Sequence, residues 1–359
     1  MNNLQVGLAA AGALVLALVI AHGAWTSRKS RPKQAIPDLA READRPEPTL
    51  TGDIVERVEP YLEGSVSAEH LAEPLDEFKS LPTPRREAGL DALIDVLAPI
   101  SIEALVSGDA ALAALPATRR AGSKPFAVEG LNMESDQWEP PLPGQRYSAF
   151  QAGVQLANRM GPLNQIEYSE FVTKARAFAD AVGGEPEFPE MLDEVARAKE
   201  LDQFAVEHDA QLSFILRARN AAWSSGYIHQ SAARLGFVAG VIPGRMVLPA
   251  SQEGQPPLLV LTFDTQAALA EAPEQTALRE LTLSLDVPQV PPEEKPFERM
   301  CEAALALAAS MEGVITDDHG GLIRAETMEV IHADLQKLYQ TLDERELSAG
   351  SQLGRRLFS

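Results

Sequence analysis

The sequence predicts an α+β protein carried on an N-terminal transmembrane helix, and three patterns lead there. Residues 4–24 form an apolar run in which only Gln5 and His22 have polar side chains. Leu281, Leu283, Leu285 and Val287 alternate with Thr282, Ser284 and Asp286, the period-2 signature of a strand with one buried face. Two helical stripes follow, through Phe297, Met300, Cys301, Ala304, Ala308 and Met311 and through Met328, Ile331, Leu335, Leu338 and Leu342. Strands and helices mix with few simple βαβ alternations, which favours antiparallel sheets packed on helices at one face.

The apolar run is of lipid length, because at ~1.5 Å per residue about 20 helical residues cross a ~30 Å hydrocarbon core. Arg28, Lys29, Arg31 and Lys33 flank its C-terminal side. They predict that this side is cytoplasmic, with a very short outer N-terminus. A cleaved signal peptide, the rival reading, would place basic residues before the run, where Met1, Asn2 and Asn3 supply only the terminal amine. We therefore expect an anchor over residues 1–25. Residues 26–85 read as a flexible tether: Pro32, Pro37, Pro46, Pro48, Pro60, Pro74, Pro82 and Pro84 recur, charges of both signs are interspersed, and long apolar runs are absent. A flexible chain of that length spans on the order of 45 Å.

Residues 86–205 read as a first α+β module. Leu90, Leu93, Ile94, Val96 and Leu97 begin it; helical spacing runs from Tyr168 to Val182, where Gly183 and Gly184 offer a stop; a second helix follows from Pro189 to Phe204. Residues 206–343 read as a second module. A strand begins at Gln211, a short helix spans Tyr227 to Leu235, and strands cover Arg245 to Leu248 and Leu258 to Phe263 before the alternating strand and the two helical stripes. Residues 344–359 remain as a C-terminal tail. Both modules run strand, short helix, strands, helix, glycine stop, helix, and this order leaves open a degenerate tandem duplication.

The chain has 359 residues, 45% hydrophobic and 23% charged, with a net charge of -21. This is a globular composition, and its acidity argues against a nucleic-acid surface. The single cysteine, Cys301, excludes an internal disulfide and a cysteine zinc site. No two of the six histidines stand at i, i+4, the spacing of a helical metal site. Asp317-Asp318-His319-Gly320-Gly321 reads as a turn between short extended segments. Gly236, Gly240 and Gly244 match no phosphate or dinucleotide loop, and Trp223-Ser224-Ser225-Gly226 reads as a helix cap. No catalytic constellation, metal site or cofactor site is expected, so the chain is read as non-enzymatic.

Several segments together resemble the ZipA family, membrane anchors of bacterial cell division. They are His22-Gly23-Ala24-Trp25-Thr26-Ser27-Arg28-Lys29, Gly236-Phe237, Asp286-Val287-Pro288, the Phe297 to Met311 helix, Gly313-Val314-Ile315-Thr316-Asp317-Asp318 and the helix running to Tyr339. The resemblance covers about residues 1–33 and 209–342. It implies a split β-α-β fold for the second module, with a shallow apolar groove on the open sheet face where the C-terminal tail of FtsZ docks. By position, the groove-facing residues would be Gln211, Ser213, Val241, Ile242, Thr262, Asp264, Thr282 and Ser284. It also implies a single-pass inner-membrane protein at the division site, with its modules cytoplasmic and other division proteins as further partners.

The chain departs from the family where the groove should be. The family uses mostly apolar and aromatic side chains there, whereas Thr262, Asp264, Thr282 and Ser284 are polar. Groove affinity normally rests on a few apolar anchors, and Asp264 would repel an acidic tail. Either the tail-binding surface has moved, for instance to residues 86–205, or the chain is a membrane-anchored scaffold for another cytoplasmic envelope-assembly protein.

Overall fold

Asp95 opens the first strand of a body whose described residues form two six-stranded antiparallel sheets and one two-stranded sheet. The computed structural model describes residues 33–34, 89–270, 272 and 276–359. The anchor expected over residues 1–25, and the tether expected over 26–85 apart from Lys33 and Gln34, lie outside the described residues. Among the described residues no helix is long and apolar enough to cross a membrane.

The first half of the body runs β1 (Asp95–Ser107), α1 (Gly108–Ala114), β2 (Arg120–Ala121), β3 (Lys124–Asn132), β4 (Trp138–Glu139), β5 (Arg146–Gln155), β6 (Ala157–Asn158), β7 (Gly161–Pro162), α2 (Gln165–Val182), β8 (Gly184–Pro186) and α3 (Met191–His208). The second half runs β9 (Gln211–Ala218), α4 (Ser225–Ala233), β10 (Val238–Ala239), β11 (Arg245–Leu248), β12 (Leu259–Thr262), α5 (Thr265–Ala268), β13 (Glu280–Asp286), α6 (Pro296–Met311), β14 (Gly313–Thr316), α7 (Ala325–Glu344) and α8 (Gln352–Leu357). The first sheet has the order β2-β3-β5-β1-β8, with β4 paired to β3. The second has the order β10-β11-β12-β13-β9-β14. In each six-stranded sheet the strand that opens the half, β1 or β9, lies between the last strand of that sheet before a long helix, β5 or β13, and the short strand between two long helices, β8 or β14.

Local chemistry explains these elements. Asn164 caps α2 with a capping box: its side chain accepts from the Ile166 and Glu167 amides, and Glu167 reaches back to the Asn164 amide. Phe171, Ala175 and Phe178 then face the first core, and Gly183 ends the helix in the left-handed region at φ 68°. In β13 the alternation is literal: Leu281, Leu283 and Leu285 are buried, and the residues between them face outward. Phe297, Met300, Ala304, Leu307 and Met311 of α6 close on that inner face together with Leu335, Tyr339 and Leu342 of α7. Cys301, half-buried on α6, has its thiol pushed up to about 11 by burial, with Glu298 and Glu302 adding to the shift.

Helix α3 joins the two cores. Its Ala198 belongs to the first, its Phe204 and Ala205 belong to the second, and Leu201 packs against both. Arg159 adds a polar bridge. It forks bidentately onto Asp209, which follows α3, and onto Asp286 at the end of β13, with N–O distances of 2.7–2.9 Å. The hydrogen bonds that Asp286 and Asp209 accept from Arg159 raise its pKa, so the guanidinium stays charged.

The sequence reading leaves residues 344–359 as a tail, and the structure corrects this. Leu347, Ala349, Leu357 and Phe358 are buried in the second core, and Ser351 caps α8 by accepting from the Gly354 amide. The Gln155 side chain donates to the Arg356 carbonyl, and the Gln289 side chain donates to the carbonyls of Arg355 and Phe358. Arg356 reaches Gly89 and the fully buried carboxylate of Asp95 at 2.5 Å. Burial pushes the Asp95 carboxyl above the usual carboxylate range, and Arg356 pulls it back.

Removing one partner of a buried ion pair strands the other charge. Arg356→Ala should therefore lower stability by ~3–5 kcal/mol in urea unfolding, while Arg356→Ala combined with Asp95→Asn should recover part of the loss. Phe358→Ala should cost about 3–5 kcal/mol by emptying its place in the core.

Candidate partner-binding face

The second sheet buries Phe214, Leu216, Met246, Leu259, Leu261, Leu281 and Leu283 against its helices. Because side chains alternate along a strand, the residues between them share the opposite face. Register fixes which of these stand side by side. Val247 of β11 pairs with Val260 of β12, which pairs with Ser284 of β13, which pairs with Ser213 of β9. The next row is Arg245, Thr262, Thr282 and Ile215. Glu280, Arg217 and Val314 form a row toward one end of the strands, and Asp286 with Gln211 forms one at the other.

The open face therefore mixes apolar, hydroxyl and charged side chains. Ile215, Val247, Val260 and Val314 are half-buried apolar groups. Ser213, Thr262, Thr282 and Ser284 supply hydroxyls, of which Ser284 already donates to the Val260 carbonyl at 3.2 Å. Arg245 is the cation of the central rows, and among the described residues it has no carboxylate within ion-pair distance. Arg217 and Glu280 approach at 3.7 Å with both side chains substantially exposed, a pair worth little in water. A hollow of about 550 Å³ lies over this face, lined by Ser213, Arg245, Val260, Thr262, Ser284 and Arg159 among others. A neighbouring hollow of about 640 Å³ includes Thr262, Asp264, Thr282 and Glu280.

Five of the eight expected groove residues thus share one face: Gln211, Ser213, Thr262, Thr282 and Ser284. The other three take different positions. Asp264 lies past the end of β12 and caps α5, accepting from the Ala267 amide at 2.9 Å. Its carboxylate is therefore spent partly on a helix start. Val241 and Ile242 lie in no strand. They are exposed in the turn between β10 and β11, closed by the Gly240 amide donating to Arg245 and the Arg245 amide donating to Ile242. Gly244, at φ 76°, brings that turn beside the end of β12, because its carbonyl accepts from the Phe263 amide.

Sequence reasoning missed Ile215, Arg217, Arg245, Val247 and Val260. The alternation already assigns Ile215 and Arg217 to the face of Gln211 and Ser213, and Arg245 and Val247 to one side of β11, so the signal was present in the strands. Of the basic block, Lys33 is held by the body: its ammonium lies 3.1 Å from Glu312. Arg28, Lys29 and Arg31 lie outside the described residues.

The Asp317 motif is a turn: the Asp317 carboxylate accepts from the Gly321 amide at 2.6 Å, and the Asp317 amide donates to the Gly321 carbonyl. Among the described residues no group of three His, Cys, Asp or Glu side chains could hold a metal ion.

No curated protein matches the chain. Residues 262–334 match the family model described as ZipA, C-terminal FtsZ-binding domain. The match spans the end of β12, all of β13, α6 and β14, and the first half of α7, so the resemblance to ZipA read from the residues holds for the segment that carries Thr262, Asp264, Thr282 and Ser284.

Proposed function

We propose that the chain is a non-enzymatic cell-division protein that holds FtsZ at the cytoplasmic face of the inner membrane, docking the FtsZ C-terminal tail on the open face of the second sheet. The observation that carries this reading is the family match over residues 262–334, which falls on β13, a strand of that face, and on the helices packed behind the sheet. The rows of the sheet support it. An extended peptide laid across them meets apolar contacts at Ile215, Val247 and Val260, hydroxyl partners at Ser213, Thr262 and Thr282, and a cation at Arg245 that suits an acidic tail.

The membrane part of the proposal rests on the apolar run at residues 4–24 and the basic block after it. Division-site localisation follows from the partner. The shared strand order of the two halves supports reading 86–205 and 206–343 as two copies of one fold unit. On that reading only the second copy carries the family match.

The mixed face also favours a second reading, a scaffold that binds another envelope-assembly protein there. Titration separates the two. The full-length chain should bind an FtsZ C-terminal peptide, and Val260→Asp should weaken binding at least ~10-fold, or 1.4 kcal/mol. Absence of peptide binding by the unsubstituted chain would sink the FtsZ assignment. Arg245→Glu should weaken binding more at low salt than at high salt, since a charge contact is screened; a salt-independent loss would mean that Arg245 acts through packing. Ile242→Asp should weaken binding only if the β10–β11 turn closes over the peptide, and an unchanged titration removes that turn from the site.

A further inference from the structure

Lys33 is far from the body in sequence, yet it is bonded into it. Its amide donates to the Ala222 carbonyl at 2.7 Å, and its carbonyl accepts from the Ser224 amide at 2.9 Å. The pair forms a parallel bridge to Trp223. Trp223 is fully buried; it bridges Leu278 on its other side, and its indole N–H donates to the Met311 carbonyl at 2.8 Å. The Lys33 side chain completes the contact. Its ammonium meets the Glu312 carboxylate at 3.1 Å and the Met311 carbonyl at 3.4 Å, and lies 5.9 Å from the centre of the Tyr227 ring. The hydrogen bond from Lys33, with its charge, holds the Glu312 carboxyl below its ordinary range. The body also holds the chain at Gly89, whose carbonyl accepts from Arg356. Both flanks of residues 35–88 are therefore attached to the same body.

We propose that Lys33 is a latch that sets the distance between bilayer and body, so that the body's Trp223–Glu312 pole rides close to the lipid surface and residues 36–86 add nothing to its reach. This rests on the membrane anchor proposed above. Between Ala24, the last residue of the apolar run, and Lys33 the chain has nine steps, which span at most about 32 Å when fully extended. Without the latch, the next described attachment of the chain to the body is at Gly89, 56 residues beyond Lys33 in the sequence. The interacting surface is thus the end of the second sheet where Ala218 of β9 pairs with Gly313 of β14, together with the start of α4. The open face extends away from that pole along β9 and β13, from Arg217 and Glu280 near the latch to Gln211 and Asp286 at the far end. A docked peptide would lie within a strand's length of the bilayer side.

Energy transfer tests this on the full chain in lipid nanodiscs, with a donor dye on Ala113→Cys in a Cys301→Ser background and acceptor lipids. Inserting 50 Gly/Ser residues within 36–86 should leave transfer unchanged, whereas a spacer of doubled length would lengthen its coil dimension by about 1.4-fold and lower transfer. Lys33→Pro, which deletes both the donor amide and the ammonium, should lower transfer and make it sensitive to the insertion. Glu312→Lys, which leaves the anchor and basic block untouched, should shift transfer in the same direction. Hydrogen exchange, read without any membrane, should show the Lys33 amide protected at least tenfold over a free peptide. Transfer that falls with the insertion in the unsubstituted chain, or an unprotected Lys33 amide, overturns the latch. Failure of the chain to associate with bilayers overturns the anchor and the leash together, and that failure is separable because the exchange result does not depend on lipid.

Discussion

Asp95 carries a carboxylate that no water reaches, and the body can hold it there only if Arg356 arrives from the other end of the chain. A lone buried carboxylate costs several kcal/mol, whereas a paired one costs far less. The pair joins the first residue of β1 to the last helix, and it works alongside two other ties across the halves. Helix α3 contributes side chains to both cores, and Arg159 holds Asp209 and Asp286 in a double fork. The second sheet is for this reason not a free-standing unit cut at residue 343: its core takes Leu347, Leu357 and Phe358 from beyond that point.

Two sheets of like strand order present different outer faces, and packing explains the difference. On the first sheet, Gly153 of β5 leaves room for Leu90, whose methyl carbon lies 2.4 Å from where a Cβ would stand. Glu129 of β3 accepts from the Leu90 amide and from the Gln151 side chain. That face is therefore partly covered by the segment that leads into β1. On the second sheet the corresponding rows carry Val260, Thr262, Thr282 and Ser284, all half-exposed. If the two halves share an origin, they have diverged in what lies on the sheet more than in the sheet itself.

The sequence made the second half more legible than the first. Leu281, Leu283 and Leu285 alternate cleanly because β13 has one dry face and one wet face, and the stripes of α6 and α7 are long enough for a 3.6 period to show. The strands β3 and β5 are harder to read. Buried Gly130 and Glu129 interrupt β3, and β5 ends in four consecutive buried residues from Ala152 to Gln155, so neither alternates. The last segment was missed because α8 is six residues long and its two arginines suggest a solvated end, although one of them closes the Asp95 pair. For the site, five polar positions on the open face were readable from alternation. The apolar groups beside them do not follow from the family resemblance, whose groove positions cover only part of each strand's outer side.

The mixed character of the open face bears on how such a surface can work. Four half-buried aliphatic side chains and two cations, Arg245 and Arg217, offer few deeply buried anchors, and affinity concentrates in such anchors. A single peptide contact there would be modest, and the net charge of -21 adds a general repulsion toward acidic partners that Arg245 offsets only locally. Weak contacts become effective when partner and surface are confined together, because the second and later contacts along a filament form at high effective concentration. That gain is largest when the distance between bilayer and binding face is short and fixed, since effective concentration falls steeply as a connecting chain lengthens. On the anchor and latch proposed above, a body held by Lys33 at one pole, with its open face running outward from that pole, would keep this distance short. On this reasoning a polar groove and a short leash belong to one design, in which position supplies the binding energy that the side chains lack.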